Sequence, residues 1–208
     1  MAQNYRHIVF SDAAKALQEQ HGSRISYAKL DTRPVGEIDV LTAKEIDYIA
    51  LRDSFYMATV SETGWPYLQH RGGPRGFLKV LDDKTLAFAD YAGNRQLISV
   101  GNLATNDRVA LIMVDYAHRT RLKLLGRLQV QELSAGDPLV ETLVDPTYRA
   151  RAQRAMIITV QGFDWNCPQH IPMRLDAEDI QRALDERDAR IAELESQLSE
   201  RGDPRRTR

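Results

Sequence analysis

Cysteine is nearly missing from this chain of 208 residues: Cys167 is the only one. No internal disulfide can form, and a reducing compartment is expected. An excess of either charge is missing too. Lys and Arg number 28 against 29 Asp and Glu, giving a formal net charge of −1 and a pI near 6.5. Dedicated nucleic-acid binders carry a basic surface, so no nucleic-acid partner is expected. Long hydrophobic runs are lacking: no window reaches the ~18 apolar residues that suggest a membrane span. The opening MAQNYRHIVFSD has no charged stretch followed by an apolar run, as a secretory signal would. These absences predict a soluble, cytoplasmic protein with no membrane partner.

Several catalytic signatures are absent as well. His7, His21, His70, His118 and His170 show neither HxH nor HExxH spacing, so no metal site is expected. There is no GxSxG elbow for nucleophilic hydrolysis, and no GxGxxG follows a strand. Cys167 has no clear histidine partner and reads as an inert thiol.

What is present is a meander of short strands with few helices. Ser11 to Gln20 reads as a capped helix, and Arg24 to Val40 as a wrapping loop. Thr42-Ala-Lys-Glu45 is a capping box, opening a helix that buries Ile46, Ile49 and Ala50 and ends near Asp53. Strands are expected over Phe55 to Ser61, Tyr67 to Arg71, Gly76 to Leu81 and Thr85 to Ala89, with Glu62-Thr63-Gly64 as a hairpin turn. Asn94 to Ala104 reads as a helix. Arg108 to Val114 is a nearly continuous apolar strand, the pattern expected when both faces are covered. Thr120 to Glu132 should pair with it. Asp137 to Val144 and Pro146 to Gln153 read as helices, and Ala155 to Phe163 as the last strand. The fold class is therefore mainly β with peripheral helices, an antiparallel barrel of about six or seven strands. Two parts are expected: residues 1–176 as the barrel with its N-terminal helical arm, and 177–208 as a C-terminal amphipathic helix with a disordered tail.

The segment His70 to Gln96 carries the functional signal. Arg71, Arg75 and Lys79 lie four apart, so they share a face wherever the strand is unbroken. Gly72, Gly73 and Gly76 let a planar ring approach the backbone, or make barrel bulges. Asn94 and Arg95 stand at the mouth of a helix. There, backbone amides and a guanidinium together suit a phosphate ester.

The hairpin ETGWPY and the segments RGFLKVLDD, LAFADYAGNRQ, RVALIMV and RLKLLGRLQV occur in that order, with a terminal WNCP. In this the chain resembles the pyridoxamine 5′-phosphate oxidase-like family, the FMN-binding split β-barrels, over about Phe55 to Pro168. The resemblance implies a homodimer with FMN in grooves at the subunit interface and a small-molecule redox substrate. It places Arg75, Gly76, Phe77, Leu78 and Lys79 along the ring and phosphate side of FMN. It sets Phe88, Ala89 and Asp90 at the strand end beside the flavin, Asn94 and Arg95 on the phosphate, and Arg121 near the pyrimidine edge. The oxidase proper has two adjacent basic residues at Asn94-Arg95 and a threonine-asparagine pair at Ala89-Asp90. Its C-terminal arginine motif has only a faint echo in Arg174-Leu175. The substrate and any catalytic side chain therefore stay open. So do a non-catalytic flavin carrier, sensor or scavenger and a barrel holding deazaflavin or heme, for which His70 or His118 would be the axial ligand. Trp165 is either a pocket wall or core.

Beyond Asp176, Ile180, Leu184, Arg187, Ile191, Leu194 and Leu198 fall at alternating spacings of four and three, a seam of about two and a half heptads. Such a helix either lies on its own barrel or pairs with a second subunit.

Overall fold

Alternating inward apolar residues build one curled sheet in this computed structural model, which describes residues 4–29, 39–134, 136–165 and 169–201. Seven antiparallel strands take part: β1 Ser54–Val60, β2 Pro66–Gly72, β3 Lys79–Asp82, β4 Thr85–Tyr91, β5 Arg108–Asp115, β6 Thr120–Glu132 and β7 Ala152–Trp165. Their order is β2-β1-β5-β6-β7-β4-β3. In a flat sheet β1 and β4, four spacings apart, would stand ~19 Å from each other. Yet Phe55 of β1 and Phe88 of β4 meet edge to face with ring centroids 5.2 Å apart, and Phe77 stacks on Phe55 at 5.5 Å. The sheet has therefore rolled into a barrel, with β2 and β3 as unpaired lips of an open seam. This is the expected fold class.

The barrel interior is filled by Phe55, Met57, Leu86, Phe88, Leu111, Met113, Leu122, Leu124, Met156 and Ile158, all at most 2% exposed. On β5 the inner residues are buried while Ala110, Ile112 and Val114 on the outer face stay half-buried. A strand this apolar on both sides is covered on only one by its own chain.

Helices α1 Asn4–Val9, α2 Asp12–Gln20 and α3 Arg24–Ala28 precede the barrel. Ser11 caps α2 as its sequence suggests, its Oγ accepting from the Ala14 amide. α1 and α3 are additions to that reading. The remainder of the expected wrapping loop, from 30 to 38, lies outside the described residues. α1 is too short to announce itself, and it is held by tertiary bonds. Buried Asp39 accepts from the amides of Asn4, Tyr5 and Phe163. The β6–β7 register shift leaves the Gln161 carbonyl to accept from Asn4 Nδ2 and the Asp39 amide. Gly162 permits this close approach, because a Cβ there would stand 2.5 Å from the Tyr5 nitrogen.

α4 Ala43–Ala50 starts at Thr42 through the expected capping box. Ile49 is buried, but Ala50 is exposed and Glu45 takes its place inside, because the helix turns its carboxylate toward β7. Glu45 accepts from the Thr42 hydroxyl and amide and from Trp165 Nε1 at 2.6 Å. Trp165 is half-buried against the core, edge-on to Tyr48 and under Lys44. Burial pushes the Glu45 carboxyl up. The donors at Thr42 and Trp165 outweigh it, so the pKa lies below the ordinary 4.5. A depressed folded-state pKa gives stability that is complete above the unfolded value and vanishes as pH falls through the folded one. Glu45→Gln is expected to cost about 1 kcal/mol at neutral pH. That deficit should shrink below pH 4.5 in urea unfolding; a deficit independent of pH would refute the assignment.

α5 Ile98–Thr105 plugs one barrel end with Leu103, and α6 Pro138–Leu143 rests Leu143 on the small residues Ala87, Ala89 and Ala155. Pro146 to Gln153 is not helical: a turn at 146–147 and an irregular stretch over 148–151 precede β7, which begins at Ala152. A second compact unit comprises residues 116–119 and, of the described residues, 169–201. In it Arg174 covers the Tyr116 ring at 4.6 Å, and α7 Ala177–Arg201 forms one long helix. The expected tail at 202–208 lies outside the described residues. Among those described, no helix is long and apolar enough to cross a membrane, and no group of three or more His, Cys, Asp or Glu side chains is placed to hold a metal.

Candidate functional site

At the open seam the sheet reverses its usual polarity. On β2, Leu68 points outward at 63% exposure while Tyr67, Gln69 and Arg71 point inward. These inward polar residues, the end of β4, the 93–97 segment and the start of α5 enclose a cavity of about 190 Å³.

Asp90 is its electrostatic centre. It is 7% exposed and lies opposite Arg154 in the β4–β7 ladder. Arg71 Nη1 donates to one carboxylate oxygen at 2.6 Å, and Arg154 Nη1 to the other at 3.2 Å. Arg71 belongs to β2, so this pair bridges the seam that no backbone ladder closes. Arg154 also donates through Nε to Glu132. Glu132 is the chief cause of its raised pKa, with burial opposing and Asp90 adding to it. Arg71 Nε is buried without an acceptor. Burial pushes the Tyr91 hydroxyl up, reinforced by Tyr148 and Asp145, so it stays protonated at neutral pH.

The 93–97 segment is held open by the backbone. Arg95 and Leu97 adopt left-handed φ of 60° and 54°, and Asn94 Oδ1 accepts from the Gln96 amide. α5 therefore begins at Ile98, later than its periodicity suggests. Leu97 at its N-cap offers no side-chain acceptor, leaving the first-turn amides to a ligand or water. α5 itself is pinned: Ser99 Oγ donates to Gln69 Oε1 at 2.8 Å and Asn102 Nδ2 to Thr59 Oγ1 at 2.9 Å.

Of the residues singled out by sequence, Arg71, Asp90, Asn94 and Arg95 line this cavity. The others stand elsewhere. Arg75 and Gly76 lie in a turn, and the strand expected from Gly76 begins only at Lys79. Gly76 has φ +75° and sits 2.9 Å, at its would-be Cβ, from the Ala50 carbonyl, so chain reversal explains it. That turn breaks the four-residue alternation. Arg71 faces inward, whereas Lys79 pairs with Ala87 on the outer face. Phe77, Leu78 and Phe88 are buried in the core, so a ligand would meet only their backbone. Ala89 faces α6, and Arg121 lies on the outer face of β6 beside Val114. Gln69, Ser99 and Arg154 also line the cavity and were not singled out by sequence. The signal was the inverted β2 pattern, polar at 67, 69 and 71 around outward Leu68.

The sequence profile of the family described as Pyridoxamine 5′-phosphate oxidase matches residues 41–160, more than half of the chain. None of the curated proteins is significantly similar. Among solved structures, HupZ of Group A Streptococcus is 16% identical, over 65% of this chain and 100% of that one, with a TM-score of 0.46. An FMN-binding protein of Syntrophomonas wolfei is 13% identical over 72% and 97%, TM-score 0.46. A Clostridium acetobutylicum protein related to general stress protein 26 is 16% identical over 66% and 94%, TM-score 0.44.

Proposed function

The chain belongs to the pyridoxamine 5′-phosphate oxidase family, and from that premise we propose that it is an FMN-dependent oxidoreductase acting as a cytoplasmic homodimer. The observation that carries this reading is the anion cradle at the seam: Arg95, the uncapped first turn of α5 and Arg71 line one cavity. That donor set suits a phosphate monoester, which needs several charge-assisted hydrogen bonds at once. At about 190 Å³ the cavity is smaller than the ~300 Å³ and more that usually encloses a whole ligand. It matches the phosphate end of FMN, with the ring lying beyond it. The outer face offers what would cover the ring: Leu68 at 63%, Trp65 at 76% and Tyr56 at 41% exposed, continued by Ile112 and Val114. A second copy over this face would complete both sites. Arg121 shares that face, and Arg75 to Lys79 would contribute through their backbone and Lys79.

FMN supplies the hydride and one-electron transfer chemistry. The chain's residues bind and orient. Arg95 and the α5 amides hold the phosphate, and Gln69 fixes α5 through Ser99. Asp90 holds Arg71 and Arg154 in place. Among the described residues the lining contains no His, Lys or Cys, and its carboxylate Asp90 is committed to two guanidiniums. That observation also favours the second reading, a flavin-binding protein without turnover.

Freshly purified protein is expected to show a flavin absorption spectrum and to release FMN identified by mass spectrometry. A colourless protein that ignores added FMN overturns the reading. Deazaflavin or heme in its place would keep the barrel and change the cofactor. Steady-state oxidation of NAD(P)H would then separate the enzyme from the binder.

A further inference from the structure

α7 runs for 25 residues, and its apolar residues form a single stripe that remains open: Ile180 is 43% exposed, Leu184 37%, Ile191 45%, Leu194 42% and Leu198 68%. A lone helix with such a stripe is marginally stable in water, and pairing of the stripe supplies what intrinsic propensity does not. The 4-3 spacing assigns Leu184, Ile191 and Leu198 to a positions and Ile180, Arg187 and Leu194 to d positions of a heptad. From this register and its charges we infer that α7 pairs with α7 of a second copy as a parallel, in-register, two-stranded coiled coil.

The charges decide the direction. In the parallel arrangement Arg190, at g, meets Glu195, at e, of the partner helix, and symmetry makes two such pairs. The one charged seam residue, Arg187, lies next to the e-position Asp188, which it already contacts at 3.0 Å in its own chain. In register, the two Arg187 side chains face each other at d, and the two Asp188 carboxylates beside them offset that repulsion. An antiparallel pairing centred on the same seam sets Arg190 against Arg190 and Asp188 against Asp188. It therefore replaces attraction by repulsion on both flanks. In the single chain Arg190 turns to Glu193 at 2.5 Å, so the interhelical pair forms by a side-chain rotation rather than by rebuilding. A charged seam position costs stability and specifies register and strand number, the use best attested for such residues.

This interface is separate from the outer barrel face and does not rest on the flavin reading. The test uses the full chain with Cys167→Ser, so that one introduced thiol is the only one. Leu194→Cys places thiols at facing d positions, and Ser196→Cys places them on the far side of the same helix. Under mild oxidation the Leu194→Cys protein is expected to become a disulfide-linked dimer while the Ser196→Cys protein stays unlinked. Adding Arg190→Glu should slow linking about two- to five-fold, and Arg190→Glu with Glu195→Arg should restore it. Equal linking at both positions, or none at 194, overturns the proposal. Preferred linking of Leu184→Cys to Leu194→Cys in a mixture overturns it in favour of an antiparallel pair. A Leu194→Cys thiol that neither links nor reacts with a maleimide overturns it in favour of a seam covered by its own chain. A barrel-mediated dimer would sediment as a dimer in every one of these cases, so the two interfaces fail separately.

Discussion

Replacing Asp90 by Asn is expected to destabilise the fold by about 3–5 kcal/mol, the cost of leaving a buried ion pair half made. Asp90 is 10% exposed in its side chain, Arg71 13% and Arg154 15%, so water cannot take over from the lost carboxylate. The isosteric amide keeps the shape and one acceptor but leaves two guanidiniums facing each other. It also strikes where the barrel has no ladder, since β2 and β3 are not hydrogen-bonded and the Arg71–Asp90 contact spans the opening. Glu132→Gln is the matched control. It removes the other carboxylate on Arg154, but that side chain is 74% exposed, and a solvated pair is worth under about 1 kcal/mol. Urea unfolding of both variants reads the difference. An Asp90→Asn protein that loses less than its Glu132→Gln counterpart would show that the seam is closed by something other than this carboxylate.

The same residues show how far sequence reaches. β6 was readable to its last residue and the start of α4 to its cap, because a strand's two-residue alternation and a reciprocal Thr-Glu capping box are local signals. α1 was not, since six residues held by Asp39 and the Gln161 carbonyl owe their helix to partners more than thirty positions away. Pro146 to Gln153 has helix-compatible residues, but pairing of Ala152 with Tyr91 wins over local preference. At the site, Asn94 and Arg95 were legible because a polar-basic pair before a helix is an anion signal within a few residues. Arg154 reaches Asp90 across a ladder between strands more than sixty residues apart in the chain, and Arg71 reaches it from β2, which comes near only once the sheet has rolled. Lys79 leaves the face of Arg71 for one reason: counting by fours holds only on an unbroken strand, and the Gly76 turn resets the alternation.

Arg95→Ala is expected to weaken FMN binding by about 1.5–3 kcal/mol, the range for a hydrogen bond to a charged group. That is roughly ten- to one hundred-fifty-fold in a fluorescence titration. The loss should diminish as salt rises, because Arg95 is exposed and its attraction to a dianion is screened over a Debye length of ~8 Å near physiological ionic strength. Its backbone supplies a second variant. At φ 60° a side chain carries a penalty of about 1–2 kcal/mol that glycine escapes. Arg95→Gly should therefore be at least as stable as Arg95→Ala while binding FMN equally weakly. If the guanidinium grips the phosphate, the two variants agree in affinity and differ only in stability. If instead the left-handed turn alone shapes the cradle, Arg95→Gly recovers affinity that Arg95→Ala loses, and the binding role passes from the side chain to the amides of α5. Holding Arg95 in a conformation that its side chain disfavours makes sense only in the first case, where the fold spends stability to aim a cation at the helix mouth.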